Sequence, residues 1–148
     1  MPRAVHGAGD HGFIATLVDV ARDTDVSAYI DAGTNRWPAV HRLDAADLVV
    51  RAVENAPAGA VLHATAETGI PTRNIAAAIG RRLRLPVTSI PVEQAAEQFR
   101  HLGQFFAADA PASSALTREL LDWQPTGPGL LADIDAGHYI LDGPQNPK

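Results

Sequence analysis

A mixed α/β fold is predicted by how the period of the apolar residues changes along the chain. Helical spacing at Phe13, Ile14, Leu17, Val18 and Ala21 gives way to a short β-rich run at Ser27–Asp31, and the two patterns alternate through most of the sequence. Glycine and proline mark the changes, as at Ala32-Gly33-Thr34 and Pro57-Ala58-Gly59. A length of 148 residues suits one domain with a sizeable core, expected over 1–140. The remainder, 141–148, is polar, carries two prolines and is expected to fray.

The first helix is followed by the Ser27–Asp31 strand. Leu48, Val49, Ala52 and Val53 then define a second helix, closed by Pro57 and Gly59. Ala60–Thr65 is apolar enough to be expected as a buried strand. Pro71 opens a third helix with Ile75, Ile79 and Leu83 in register. Its Arg81, Arg82 and Arg84 suit the negative end of the helix dipole and read as a solvated cluster rather than a phosphate site. Val87–Ile90 is a short strand. Pro91 begins a helix with Val92, Ala95, Ala96, Phe99 and Leu102 on its apolar face, which Gly103 should break. Phe105-Phe106 should plug a core. Ser113 or Ser114 should cap a helix running to about Trp123, and Gly129–Gly137 gives a last short one.

Composition excludes several classes of function. The formal charge of −5 argues against nucleic acid and anionic membranes as partners, since both need a basic face. No apolar run approaches the ~20 residues that span a bilayer, and the N-terminus lacks a signal-peptide core, so a cytoplasmic protein is the default expectation. Without cysteine there is no disulfide framework, thiol nucleophile or cysteine zinc site.

The richest stretch runs from Asn35 to Asp47. Pro38 pushes Trp37 towards extended backbone, Ala39-Val40-His41 allows a brief strand, and Asp44 stands where an N-cap is wanted. Arg36, Trp37 and His41 are thereby displayed on a short rigid platform suited to holding a ligand. The competing reading makes Trp37 core, Arg36 solvated and His41 a backbone partner.

The segment His41-x-x-Asp44-Ala45-Ala46 resembles the "RDxxHVxDxA" segment of extended short-chain dehydrogenases, the NAD-dependent epimerase/dehydratase family. Val5-His6-Gly7-x-Gly9-Asp10, Ala60-Val61-Leu62-His63-Ala64 and Leu121-Asp122-Trp123-Gln124-Pro125 agree in order, the last being similar to the family's "LGWxP". Together they span nearly the whole chain but only the back part of such an enzyme. The resemblance implies the substrate-binding lobe plus the last helix and strand of the nucleotide-binding (Rossmann) sheet, with the N-terminal half of that sheet absent. Met1 would then be an internal methionine of a longer ancestor. His6, Arg36, Trp37 and His41 would lie near the substrate cleft, and Pro2 would match a proline near the nicotinamide. One departure stands out: Arg36 lies five residues before His41, where the family's arginine lies four before.

The family's chemistry needs a Tyr-x-x-x-Lys pair. Neither Tyr29 nor Tyr139 has a lysine four residues on, and Lys148 is the only lysine. Gly7–Gly12 formally matches G-x-G-x-x-G. However, Met1–His6 is too short and polar for the buried strand that motif requires, and Asp10 would repel a pyrophosphate. NAD(P) is therefore implied as the family's cofactor, while tight binding by this chain alone is not expected. His6, Asp10 and His11 could supply ligands for a metal-dependent hydrolase, although Gly7 and Gly9 would leave their loop mobile and no general base is evident. Ser27, Ser89, Ser113 and Ser114 lack a nucleophile-elbow context. The expected function is a truncated or split NAD(P)-dependent oxidoreductase or epimerase taking a small-molecule substrate, paired with a separate Rossmann-domain chain or a second copy of itself. The alternative is a stand-alone ligand-binding or regulatory module.

Overall fold

The computed structural model describes residues 4–139, so the expectations for Pro2 and for the tail 141–148 fall outside it. Within that range the chain is mixed α/β. Strand β1 (Ala4–His6) leads through a glycine-rich loop to helix α1 (Phe13–Thr24), strand β2 (Ser27–Ile30) and strand β3 (Arg36–His41). Helix α2 (Arg42–Asn55), strand β4 (Glu67–Pro71), helix α3 (Thr72–Leu83) and strand β5 (Val87–Ile90) follow. Four short helices complete it: α4 (Ala95–Phe99), α5 (Gly103–Ala107), α6 (Ala115–Leu121) and α7 (Leu130–Ala136).

Two small sheets organise these elements. In the first, β3 is central, parallel to β1 and antiparallel to β4. In the second, β2 and β5 run parallel, with Ser27 opposite Val87 and Ile30 opposite Ile90. The larger core gathers Ile14, Leu17, Val18 and Ala21 of α1, Ile75 and Ile79 of α3, and Trp37 and Ala39 of β3. A smaller core joins Val40 of β3 to Leu48, Leu121 and Trp123. β3 is thus buried on both faces and hydrogen-bonded on both edges, which explains its unbroken run of buried residues from Trp37 to Val40.

The periodic helices appear where expected, and the corrections fall where pairing across the fold overrides local pattern. β3 is longer than Ala39–His41 and passes through Pro38, which cannot donate to a ladder; the register shifts between Trp37 and Ala39, the kind of irregularity that tolerates proline. Ala60–Thr65 is not a strand, and Val61 is exposed. Its polar groups are taken by side chains of the later chain: the His63 N–H donates to Thr117 Oγ1, and the Thr65 carbonyl accepts from the Ser114 hydroxyl. The strand comes next, at Glu67–Pro71, where it pairs with β3.

The helix expected from Pro91 is broken at Arg100, whose φ of 54° leaves the helical region. Gly103 does not end a helix but opens α5. A Cβ there would meet the Ala95 backbone at 2.7 Å, so only glycine lets α5 lie this close to α4. Phe106 plugs the larger core as expected, whereas Phe105 is half exposed. Ser113 Oγ accepts from the Ala115 N–H at 3.2 Å at the start of α6.

Trp37 is fully buried, with Phe106 edge-on at 5.2 Å and Phe13 at 6.0 Å between ring centroids. Trp37→Ala should therefore cost about 3–5 kcal/mol in denaturant unfolding, the loss expected for a large core side chain. A change below about 1 kcal/mol would return Trp37 to the surface of a binding site.

Candidate binding cleft

A cleft of about 690 Å³ opens where the C-terminal end of β1, the start of α1 and the start of α2 meet the segment after α5. Its size falls within the range of small-molecule sites. Val5 and Pro38 form its floor. Phe13 at the first turn of α1 and Phe105 of α5 form an aromatic wall, their rings 6.1 Å apart and tilted by 42°. Pro111 and its two alanine neighbours close the far side, held by the Ala110 N–H on the Arg36 carbonyl (3.0 Å) and the Ala112 N–H on the Thr68 carbonyl (2.9 Å). Asp10 and Arg42 supply the charges.

The glycines of the β1–α1 loop acquire a reason here. Gly7 and Gly9 have φ of 139° and 79°, and a Cβ on Gly7 would lie 3.2 Å from the Arg42 stem. Gly7 leaves room for the His41 ring, 3.0 Å from where its Cβ would stand, and for the Arg42 stem. The loop is pinned rather than mobile: Tyr139 accepts from the Gly7 N–H at 3.1 Å and donates to Asp10 Oδ2 at 2.9 Å, while Asp10 Oδ1 accepts from the Gly12 N–H at 2.6 Å. Burial, with the neighbouring Asp10 and Asp133 carboxylates, pushes the Tyr139 phenol well above its ordinary value, against a smaller opposing effect of the Gly7 N–H. The phenol thus ties the Gly7 and Asp10 positions of the loop together.

The four residues singled out in the sequence take other places, and none lines this cleft. His6 points to the opposite face of β1 from Val5 and is buried, with Nδ1 2.5 Å from Asp133 Oδ2. His41 Nε2 lies 3.8 Å from the same carboxylate, and its ring meets His6 edge-on at 5.5 Å. His138 Nε2 stands 3.6 Å from the other Asp133 oxygen. Among the described residues, His6 Nε2 is buried without a hydrogen-bond partner. Trp37 is core. Arg36 is exposed and forked onto Asp109, with Nε at 3.2 Å and Nη2 at 3.0 Å; this raises the arginine's pKa and lowers the aspartate's. Asp109 thus competes for the guanidinium that an anion would need. His6, Asp10 and His11 do not converge as a metal site either, because His6 is committed to Asp133 and Asp10 to Tyr139 and Gly12. Among the described residues no group of three or more acidic, histidine or cysteine side chains is arranged to hold a metal.

Asp44 is the other correction. The cap of α2 is His41, whose Nδ1 accepts from the Leu43 N–H at 3.3 Å. Asp44 lies in the first turn and reaches outward instead. Its carboxylate accepts from the N–H groups of Thr126 (3.1 Å) and Gly127 (2.8 Å), and its carbonyl accepts from Trp123 Nε1 at 3.1 Å. Two segments that carry the family resemblance, around His41–Ala46 and Leu121–Pro125, are therefore held together by one residue.

Comparison with known proteins bears on the fold. No family model matches the chain. It is 50% identical over 140 residues to an uncharacterized protein of Schizosaccharomyces pombe, covering 95% of this chain and 48% of that protein. An uncharacterized protein of Saccharomyces cerevisiae is 45% identical over 140 residues, with 95% and 47% covered. The chain spans about half the length of these relatives. Among solved structures it is similar to RMD from Pseudomonas aeruginosa complexed with NADPH (TM-score 0.57, 16% identity, 93% of this chain and 45% of that one). It is also similar to UDP-glucuronic acid 4-epimerase from Bacillus cereus in complex with UDP-glucuronic acid and NAD (TM-score 0.61, 14% identity, 91% and 41%). Pal from Bacillus thuringiensis is a third (TM-score 0.62, 17% identity, 88% and 41%). The chain thus shares its fold with part of each of these three structures.

Asp44→Ala should cost about 2–4 kcal/mol in equilibrium unfolding, because it strands two partly buried N–H groups. Asp44→Asn, which keeps one acceptor oxygen, should cost clearly less. Equal and small effects of both substitutions would show that the carboxylate does not hold the loop at 126–127.

Proposed function

We propose that this chain is the substrate-binding part of a cytoplasmic NAD(P)-dependent oxidoreductase or epimerase, equivalent to the C-terminal part of such enzymes. The grip on the cofactor would come from polypeptide outside these 148 residues. The observation that carries this reading is the cleft itself: about 690 Å³, walled by this chain's own residues, on a fold shared with part of enzymes that bind NADPH or NAD. The chain's contribution is to shape the cleft, offer the Phe13 and Phe105 rings as an apolar wall, and orient a small molecule. When bound, the dinucleotide would supply hydride chemistry. Neither Tyr29 nor Tyr139 has the lysine four residues on that the resembling family uses, so turnover by this chain alone is not expected.

The outer surface supports a partner. Val49, Val50 and Val53 form an exposed apolar face on α2, and Val61 beside it is 84% exposed. β1 is an outer strand of its sheet. An open strand edge and a bare apolar face both invite association, through a separate nucleotide-binding chain or a second copy. The self-contained cleft favours a second reading, an independent ligand-binding or regulatory module.

Light scattering on the purified chain at micromolar concentration separates the two. Partner dependence predicts dimers, aggregation, or recovery of a single species only with a separate nucleotide-binding chain supplied. A monodisperse monomer with a cooperative melt would favour the independent module.

A further inference from the structure

We infer that the cleft takes a small organic monoanion with an apolar or aromatic body, its carboxylate held by Arg42. This deepens the cleft reading and rests on it. Among the described residues Arg42 makes no ion pair or side-chain hydrogen bond, while the nearby Arg36 is neutralised by Asp109. A Cβ on Gly7 would lie 3.2 Å from the Arg42 stem, so the bare backbone there leaves room for that stem beside the cleft. A planar guanidinium matches a carboxylate in a two-point fork.

The rest of the lining fixes the body and limits the charge. Phe13, Phe105, Pro38 and Pro111 offer ring faces and aliphatic edges. The other charged group at the cleft, Asp10, has one oxygen occupied by the Gly12 N–H and the other by the Tyr139 hydroxyl. The single Arg42 guanidinium can pair with one negative charge while the Asp10 carboxylate opposes a second, so a diphosphate with two or more negative charges would lack compensation. A nucleoside diphosphate sugar is therefore a poor occupant, and a monocarboxylate a good one.

The test is titration of the full chain, by calorimetry or ligand-observed NMR, with 3-phenylpropanoate, its neutral amide, phenyl phosphate and UDP-glucose. The carboxylate should bind at least about tenfold more tightly than the amide, in keeping with one charge-assisted hydrogen-bonded pair. Arg42→Gln should abolish that preference while leaving amide binding within about twofold, and Phe105→Ala should weaken both ligands. Arg42 is exposed, and circular dichroism checks that its variant folds. Equal binding of carboxylate and amide, a preference that survives Arg42→Gln, no binding of either, or tighter binding of UDP-glucose or phenyl phosphate would each overturn the inference. Scattering on the same preparation reports separately on partner dependence, so failure of one reading is distinguishable from failure of the other.

Discussion

Asp44 is the contact that ties the β3–α2 junction, which borders the cleft, to the segment after α6. One residue accepts three hydrogen bonds from the loop and tryptophan that follow α6, eighty residues further along the chain. It fixes the junction between β3 and α2. That junction sets Trp123 over Val40 in the smaller core and, two residues before Asp44, places Arg42 at the cleft. The carboxylate is partly desolvated but paired with N–H donors, the condition under which a buried charge is tolerated.

From that junction the chain divides its polar groups between two faces of one sheet. On one face β1 and β3 bury His6 and His41 around Asp133, a cluster that secures α7 against the sheet. On the other, Val5 and Pro38 floor a cleft open to solvent. The alternation of side chains along β1 makes this separation unavoidable: if Val5 faces the cleft, His6 faces the core. Chemistry-bearing residues in a short strand are thus assigned opposite environments by parity alone.

Much of the fold was legible because α1, α2, α3 and α7 carry apolar periodicity, and β2 and β5 are compact apolar runs. β4 was not legible. Glu67-Thr-Gly-Ile-Pro71 holds a glycine, a proline and a charge, so it reads as a turn; pairing with β3 makes it a strand. The cleft was half visible. The stretch Asn35–Asp47 does border it, but the lining residues are Pro38 and Arg42 rather than Arg36, Trp37 and His41. No local pattern distinguishes them, since what removes His6 from the cleft is Asp133, 127 positions away, and what occupies Arg36 is Asp109. The signal for Arg42 was Gly7, readable only once the loop and the helix start are known to touch.

The central claim is a division of labour, with the small-molecule cleft in this chain and the dinucleotide grip outside it. The loop that formally resembles a phosphate cradle carries the Asp10 carboxylate and has its Gly7 and Gly12 N–H groups taken by Tyr139 and Asp10, so it offers a pyrophosphate no ring of free N–H groups. Calorimetric titration of NADH and NADPH into the isolated chain tests this most directly. The account predicts no saturable heat at micromolar cofactor; low-micromolar binding of either dinucleotide would contradict it and restore Gly7–Gly12 as a phosphate loop.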